Sequence, residues 1–148
     1  MSVLIALKAC NGKYVCIGDK ELIDDKQPTV FANEQPLIAN KDDIQDCSIF
    51  EFDCDIYNTC TFKTLSNLYI YVVSSTLHIR THEPSLPSYS VLLNKFEKIN
   101  VNCNTFAFKS LYNNRYICAD GEGNKPLIAD KVHIGQWETF TVEIVWIN

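Results

Sequence analysis

The feature that most limits how this chain can fold is a threefold internal repeat with a period of about fifty residues. Leu7-Lys8-Ala9-Cys10, Phe62-Lys63-Thr64-Leu65 and Phe108-Lys109-Ser110-Leu111 share the form apolar, Lys, small, apolar. A tyrosine follows each lysine at nearly constant distance, at Tyr14, Tyr69 and Tyr116. The second half of the unit repeats as well: Pro36-Leu37-Ile38-Ala39-Asn40-Lys41 matches Pro126-Leu127-Ile128-Ala129-Asp130-Lys131. Ile49-Phe50-Glu51-Phe52 closes the first unit as Thr139-Phe140-Thr141-Val142 closes the third. In the central unit, the run from Val91 to Ile99 reads as two closing strands merged into one. The units span approximately residues 1–54, 55–100 and 101–148.

Within each unit the apolar pattern has period two rather than 3.6, and Tyr, Val, Ile, Thr and Phe cluster in the alternating runs. Turn dipeptides separate them, and Asn11-Gly12 predicts a hairpin with a type I′ turn. Asp42-Asp43-Ile44-Gln45-Asp46 has room for one helical turn at most. Four short strands per unit leave one apolar face and one open edge, so no unit stands alone and three must close on one another. The expected fold is all-β: a single β-trefoil domain over residues 1–148, a pseudo-threefold barrel capped at one end by a hairpin from each unit. A chain of 148 residues, 47% hydrophobic, is long enough to bury such a core.

Charge and cysteine content narrow the function classes. With 13 basic and 18 acidic residues the net charge is −5, which opposes attraction to nucleic-acid phosphates or anionic lipid. No apolar run approaches the roughly 20 residues of a membrane helix, and Met1 to Lys8 lacks the basic and long apolar regions of a signal peptide. Integral membrane association is therefore not expected. The 7 cysteines are odd in number and contain no Cys-x-x-Cys pair, which predicts free thiols, a reducing compartment and a cytoplasmic protein.

Nothing in the pattern points to catalysis. There is no phosphate-binding glycine loop, no nucleophile elbow and no paired-carboxylate signature, and no cysteine is placed beside a histidine base. No catalytic residue, metal or cofactor is expected. His78, Arg80 and His82 share one face of a strand, an anion or metal surface only if a third ligand exists, and otherwise a solvated face. Cys16 and Cys118 hold equivalent places after the repeat tyrosine and read as small core residues. Trp137 reads as a core anchor, with a sugar platform as the alternative, and Glu138 as a partner of backbone donors. Lys8, Lys63 and Lys109 read as outward solvated charges, or as a patch for an acidic partner. Unit one carries about twelve extra residues around positions 20–35, where Leu22, Asp24, Asp25 and Phe31 mark a candidate partner-binding loop. Residues 83–89, fixed by Pro84 and Pro87, are a connector or a second contact surface.

Four stretches also carry a family resemblance. The run from Phe108 to Asp120, then Pro126 to Asp130, then Ile134-Gly135-Gln136-Trp137-Glu138-Thr139-Phe140, together with Asn11-Gly12-Lys13-Tyr14-Val15, resembles the fascin-like β-trefoil family. That resemblance implies a non-enzymatic binding module whose partner is actin filaments or another protein. The alternative is a carbohydrate-binding lectin. Its expected pocket lies at the unit-three turn, with Asp120, Glu122, Asn124, Tyr116 and Tyr112 supplying hydrogen bonds and a stacking ring.

Overall fold

The computed structural model describes residues 2–19, 22, 35–73, 78–82 and 92–146, with only the backbone described at 73 and 78–82. Its strands are β1 (Ser2–Lys8), β2 (Tyr14–Ile17), β3 (Leu37–Lys41), β4 (Phe50–Cys54), β5 (Thr59–Thr64), β6 (Tyr69–Val73), β7 (His78–His82), β8 (Phe96–Asn100), β9 (Thr105–Ser110), β10 (Tyr116–Cys118), β11 (Ile128–Lys131) and β12 (Phe140–Ile144).

The first and last strand of each unit form the barrel. Antiparallel pairing runs β1–β4, β4–β5, β5–β8, β8–β9, β9–β12 and back through β12–β1, a closed ring of six strands. Closure matters because it leaves no open edge along the barrel. The hairpins β2–β3, β6–β7 and β10–β11 form the cap. They also hold one another: Ile128 pairs with His78, and the Leu127 N–H donates to the Leu37 carbonyl (2.8 Å). This is the expected β-trefoil.

The alternation seen in the sequence fills the centre. Phe50, Phe96 and Phe140, at equivalent places in the three closing strands, are fully buried, as are Ile5, Val15 and Phe108. Phe62 meets Phe108 edge to face with ring centroids 5.2 Å apart, and Phe52 meets Phe108 at 6.0 Å. Between barrel and cap lies a cavity of about 20 Å³ lined by Leu7, Leu37, Phe62, Ile70, Phe108, Ile117, Leu127 and Phe140. That is room for one water at most, and with no polar wall it has nothing to hold one.

Four expectations change. The Asn11-Gly12 hairpin is not type I′, because Gly12 alone takes a positive φ (79°). The Gly12 N–H donates to the Ala9 carbonyl and the Ala9 N–H to the Lys13 carbonyl, an ordinary turn followed by a left-handed bulge residue. The same device recurs with Asn58 and Asn67 in the left-handed place, since asparagine tolerates that region better than other side chains. In the central unit the closing strands are not merged: the third strand is His78–His82 and the fourth Phe96–Asn100, with a turn at 92–94 between the cap and the barrel. The repeat lysines are not freely solvated, as described below.

Finally, the thiols are not all free. Cys54 and Cys60 are directly opposed in the β4–β5 ladder and form a disulfide, leaving Cys10, Cys16, Cys47, Cys103 and Cys118 reduced. The bridge closes a short loop around Ile56-Tyr57, so its effect on the unfolded chain is modest. Reducing it is expected to lower stability by about 2 kcal/mol, read as a shift of the urea midpoint with and without dithiothreitol.

Candidate functional site

The repeat lysines and tyrosines turn out to be cross-strand partners. Lys8 pairs with Tyr14, Lys63 with Tyr69 and Lys109 with Tyr116, each at the point where a barrel strand hands over to a cap hairpin. In each pair the ammonium lies over the ring, 5.0, 5.1 and 5.7 Å from its centroid. On the other side of each lysine stands a glutamate from a neighbouring strand: Glu51 opposite Lys63, Glu97 opposite Lys109, and Glu143 at 3.8 Å from Lys8. The lysines are thus spent on three separate Glu–Lys–Tyr ladders around the barrel. In the first ladder the Tyr14 hydroxyl also donates to the Glu143 carboxylate (3.0 Å). Burial, and then that bond, push its phenol above the ordinary value.

The Gly-x-Trp-Glu-x-Phe element is equally structural. Residues 136–138 make one 3-10 turn, and the Glu138 carboxylate folds back to accept the Gly135 N–H (2.7 Å). A Cβ at Gly135 would stand 2.9 Å from that carboxylate oxygen, which accounts for the glycine. The Trp137 carbonyl accepts the Ala119 N–H (2.9 Å) while its ring packs half-buried on the core, and Phe140 enters the core. Unit one builds the same turn with Ser48, whose hydroxyl accepts the Gln45 N–H and donates to the Gln45 carbonyl, both at 2.8 Å.

The five residues expected to form a pocket in unit three do not converge. Tyr116 pairs with Lys131 at one end of the β10–β11 hairpin and Cys118 with Ile128 towards the other. The hairpin separates Tyr116 from Asp120 by about 13 Å of extended chain. Tyr112 and Tyr116 belong to the first end, and Glu122 and Asn124 to the second. There the turn 120–124 leans on unit one: Gly123 (φ 87°) is so close to Asn11 that a Cβ would fall 2.1 Å from its amide nitrogen. Asp120 precedes the turn, and its carbonyl accepts the N–H groups of Gly123 and Lys125.

At the first end the structure adds residues that sequence reasoning passed over. The Asn113 side chain donates to the Ala129 carbonyl (2.8 Å), pinning the turn that carries Tyr112 against β11, next to Asp130 and Lys131. Asn11 does the same to Ala39 in unit one (3.1 Å). Tyr112 is 46% exposed, and the Asp130 carboxylate lies 3.6 Å from the Lys131 ammonium. The charge of Asp130 holds the Lys131 ammonium above its ordinary pKa, so it stays a cation and donor. Asn113 thus ties the turn that carries the exposed Tyr112 to the strand that carries the Asp130–Lys131 ion pair. The signal for Asp130 and Lys131 is the Pro-Leu-Ile-Ala-Asp-Lys repeat that closes the second half of the unit.

Of the unit-one loop, Leu22 is exposed and its N–H donates to the Asp19 carbonyl (3.0 Å); Asp24, Asp25 and Phe31 lie outside the described residues. So do residues 83–89 and the side chains of His78, Arg80 and His82. Among the described residues no group of three His, Cys, Asp or Glu side chains is arranged to hold a metal ion, and no helix is long and apolar enough to cross a membrane.

No protein-family profile and no curated protein matches the sequence. Solved structures do match in fold. A designed threefold-symmetric protein, ThreeFoil, superposes with a TM-score of 0.73 at 9% identity, over 94% of this chain and 96% of that one. SeviL bound to asialo-GM1 saccharide gives 0.66 at 11% identity over 99% and 100%. The Polyporus squamosus lectin, bound to a human-type influenza-binding epitope, gives 0.73 at 8% identity over 96% of this chain and 49% of that one. At such identities the likeness speaks for the β-trefoil fold alone.

Proposed function

We propose that this protein is a non-enzymatic carbohydrate-binding module that takes saccharide on the open shoulder of unit three. The observation that supports the reading is that Asn113 pins the turn carrying the exposed Tyr112 to β11, beside the residue pair Asp130–Lys131 with its ion pair. A sugar presents an apolar face for the ring and vicinal hydroxyls that both donate and accept, which a carboxylate beside an ammonium satisfies. Two trefoils of similar fold, SeviL and the Polyporus squamosus lectin, are saccharide-bound in their solved structures, which supports the scaffold as a host for this chemistry. A shallow shoulder of this kind fits weak binding of a terminal saccharide.

The test is a broad glycan array followed by calorimetry on the hits. Tyr112→Ala is expected to weaken binding about three- to tenfold, the worth of one aromatic stacking contact. Array silence across all glycans, or hits unaffected by Tyr112→Ala and Asp130→Asn together, would overturn the site.

A protein partner, actin filaments among them, is the second reading. It rests on the fascin-like motif and on Ile56, Tyr57 and Trp146, which are 88%, 78% and 83% exposed. Within the Gly135–Phe140 element, Glu138 and Phe140 are taken up in closing the fold, while Gly135 and Gln136 stay exposed. Co-sedimentation with filaments at physiological salt distinguishes the two.

A further inference from the structure

In each unit, the third residue of the second strand packs against the turn that precedes the closing strand. In unit two these positions are Tyr71 and Leu93, which form a small buried cluster of their own. The Val72 N–H there donates to the Leu93 carbonyl (2.9 Å), as the Ala119 N–H does to Trp137 in unit three. In unit three the residue on the strand is Cys118, in contact with Glu138 of its turn. In unit one the strand residue is Cys16 and the turn residue, at the place of Leu93 and Trp137, is Cys47. Among the described residues, this is the one copy in which the threefold places two free thiols face to face.

The contacts agree with the symmetry argument. Strand β2 packs against the 46–48 turn, which brings Cys47 close enough to Cys16 to help hold its thiol protonated, while the Cys47 thiol itself is directed at the Gln45 Oε1 (4.0 Å). The Asn40 Oδ1 lies 3.2 Å from the Cys16 sulfur and accepts its proton, which fixes the thiol's direction. The two sulfurs differ in access: Cys16 is 1% exposed, whereas Cys47 is half-buried at the surface.

We propose that Cys16 and Cys47 are a redox-active thiol pair that a hydroperoxide converts to a reversible disulfide, clasping the β2–β3 hairpin of unit one to the turn behind it. Cys47, the accessible member, reacts first. Its sulfur attacks the terminal oxygen of the hydroperoxide, the O–O bond breaks, an alcohol or water leaves, and Cys47 becomes a sulfenic acid. The Cys16 sulfur then attacks the Cys47 sulfur, the S–S bond forms, and the S–O bond breaks. The departing hydroxide takes the Cys16 proton and leaves as water. Two thiols and one hydroperoxide give one disulfide, one alcohol and one water, with each sulfur giving up one electron and the peroxide oxygens gaining two. Burial pushes the Cys16 thiol up to about 12, so it is inert to peroxide by itself and acts only on a sulfur already delivered to it.

The bridge would close the long segment between Ile17 and Pro36 inside a covalent loop, and so restrict the unfolded chain more than the short Cys54–Cys60 loop does. The experiment is to expose the folded full chain to a few equivalents of hydrogen peroxide, block remaining thiols with N-ethylmaleimide, and map peptides by mass spectrometry without reduction. The expected result is a peptide pair joined at Cys16 and Cys47, alkylation falling from five thiols to three, and reversal by dithiothreitol. A rise in Tm on the order of 10 °C should accompany the bridge. Cys47→Ser should abolish the linkage and Cys103→Ser leave it unchanged. A bridge through Cys10 or Cys103 instead, or advance of Cys47 to the sulfinic acid with Cys16 still alkylatable under denaturant, overturns the proposal.

Discussion

Phe108→Ala is expected to destabilise the protein by about 3–5 kcal/mol, enough to remove a large part of the stability of an ordinary domain. Phe108 is 1% exposed and lies within 6.4 Å, ring to ring, of Phe52, Phe62 and Phe140, so it joins strands from all three units. Truncation would also enlarge the dry cavity that Phe108 already lines, and surrounding rings fixed by strand register cannot collapse into it. Thermal unfolding should shift down by on the order of 10 °C, whereas Ile56→Ala, at an 88% exposed loop position, should stay within about 0.5 kcal/mol of the parent. Equal effects from the two would mean that the three units do not share one core.

Gly123→Ala has the next largest expected effect, and its cause lies in another unit. The residue sits at φ 87°, which by itself costs an alanine about 1–2 kcal/mol. The added methyl would also collide with the Asn11 amide, displacing it from the Ala39 carbonyl it now caps, a further loss of about 1 kcal/mol. The total, about 2–3 kcal/mol by chemical denaturation, should not be additive with Asn11→Ala, because that change removes the collision but not the backbone strain. Strict additivity would show that the turn 120–124 does not rest on the first hairpin.

What could be read in advance was whatever the threefold repeats. The Lys8–Tyr14, Lys63–Tyr69 and Lys109–Tyr116 spacings were visible because each is a cross-strand pair flanking one turn, and fixed turns preserve spacing. The turn type at Asn11-Gly12 was misjudged because dipeptide identity does not say which residue takes the left-handed region, and Asn11 is occupied with the Ala39 carbonyl and the Lys13 N–H. The Cys54–Cys60 bridge had no sequence signature: it follows from a register between β4 and β5 that exists only once the barrel forms. The candidate site was half legible. Tyr112 was named, but Asp130 and Lys131 belong to β11, which is tied to the Tyr112 turn through the Asn113 side chain. Nearness in sequence grouped Tyr112 with Glu122 and Asn124, and the extended β10 then set them apart.

The pairing of β1 with β12 has a temporal side. Ile5 faces Ile144, so the seam that turns a strip of strands into a ring joins the two extremes of the described chain. During synthesis, units one and two can assemble most of their own ladders, yet β1 keeps one unpaired side until residues 140–144 have been made. Of all contacts in the fold this one spans the most sequence, and such contacts are the slowest to be rewarded. A nascent chain stalled after β8 would hold two bare strand edges, β1 and β8, each facing what its completed neighbours later cover.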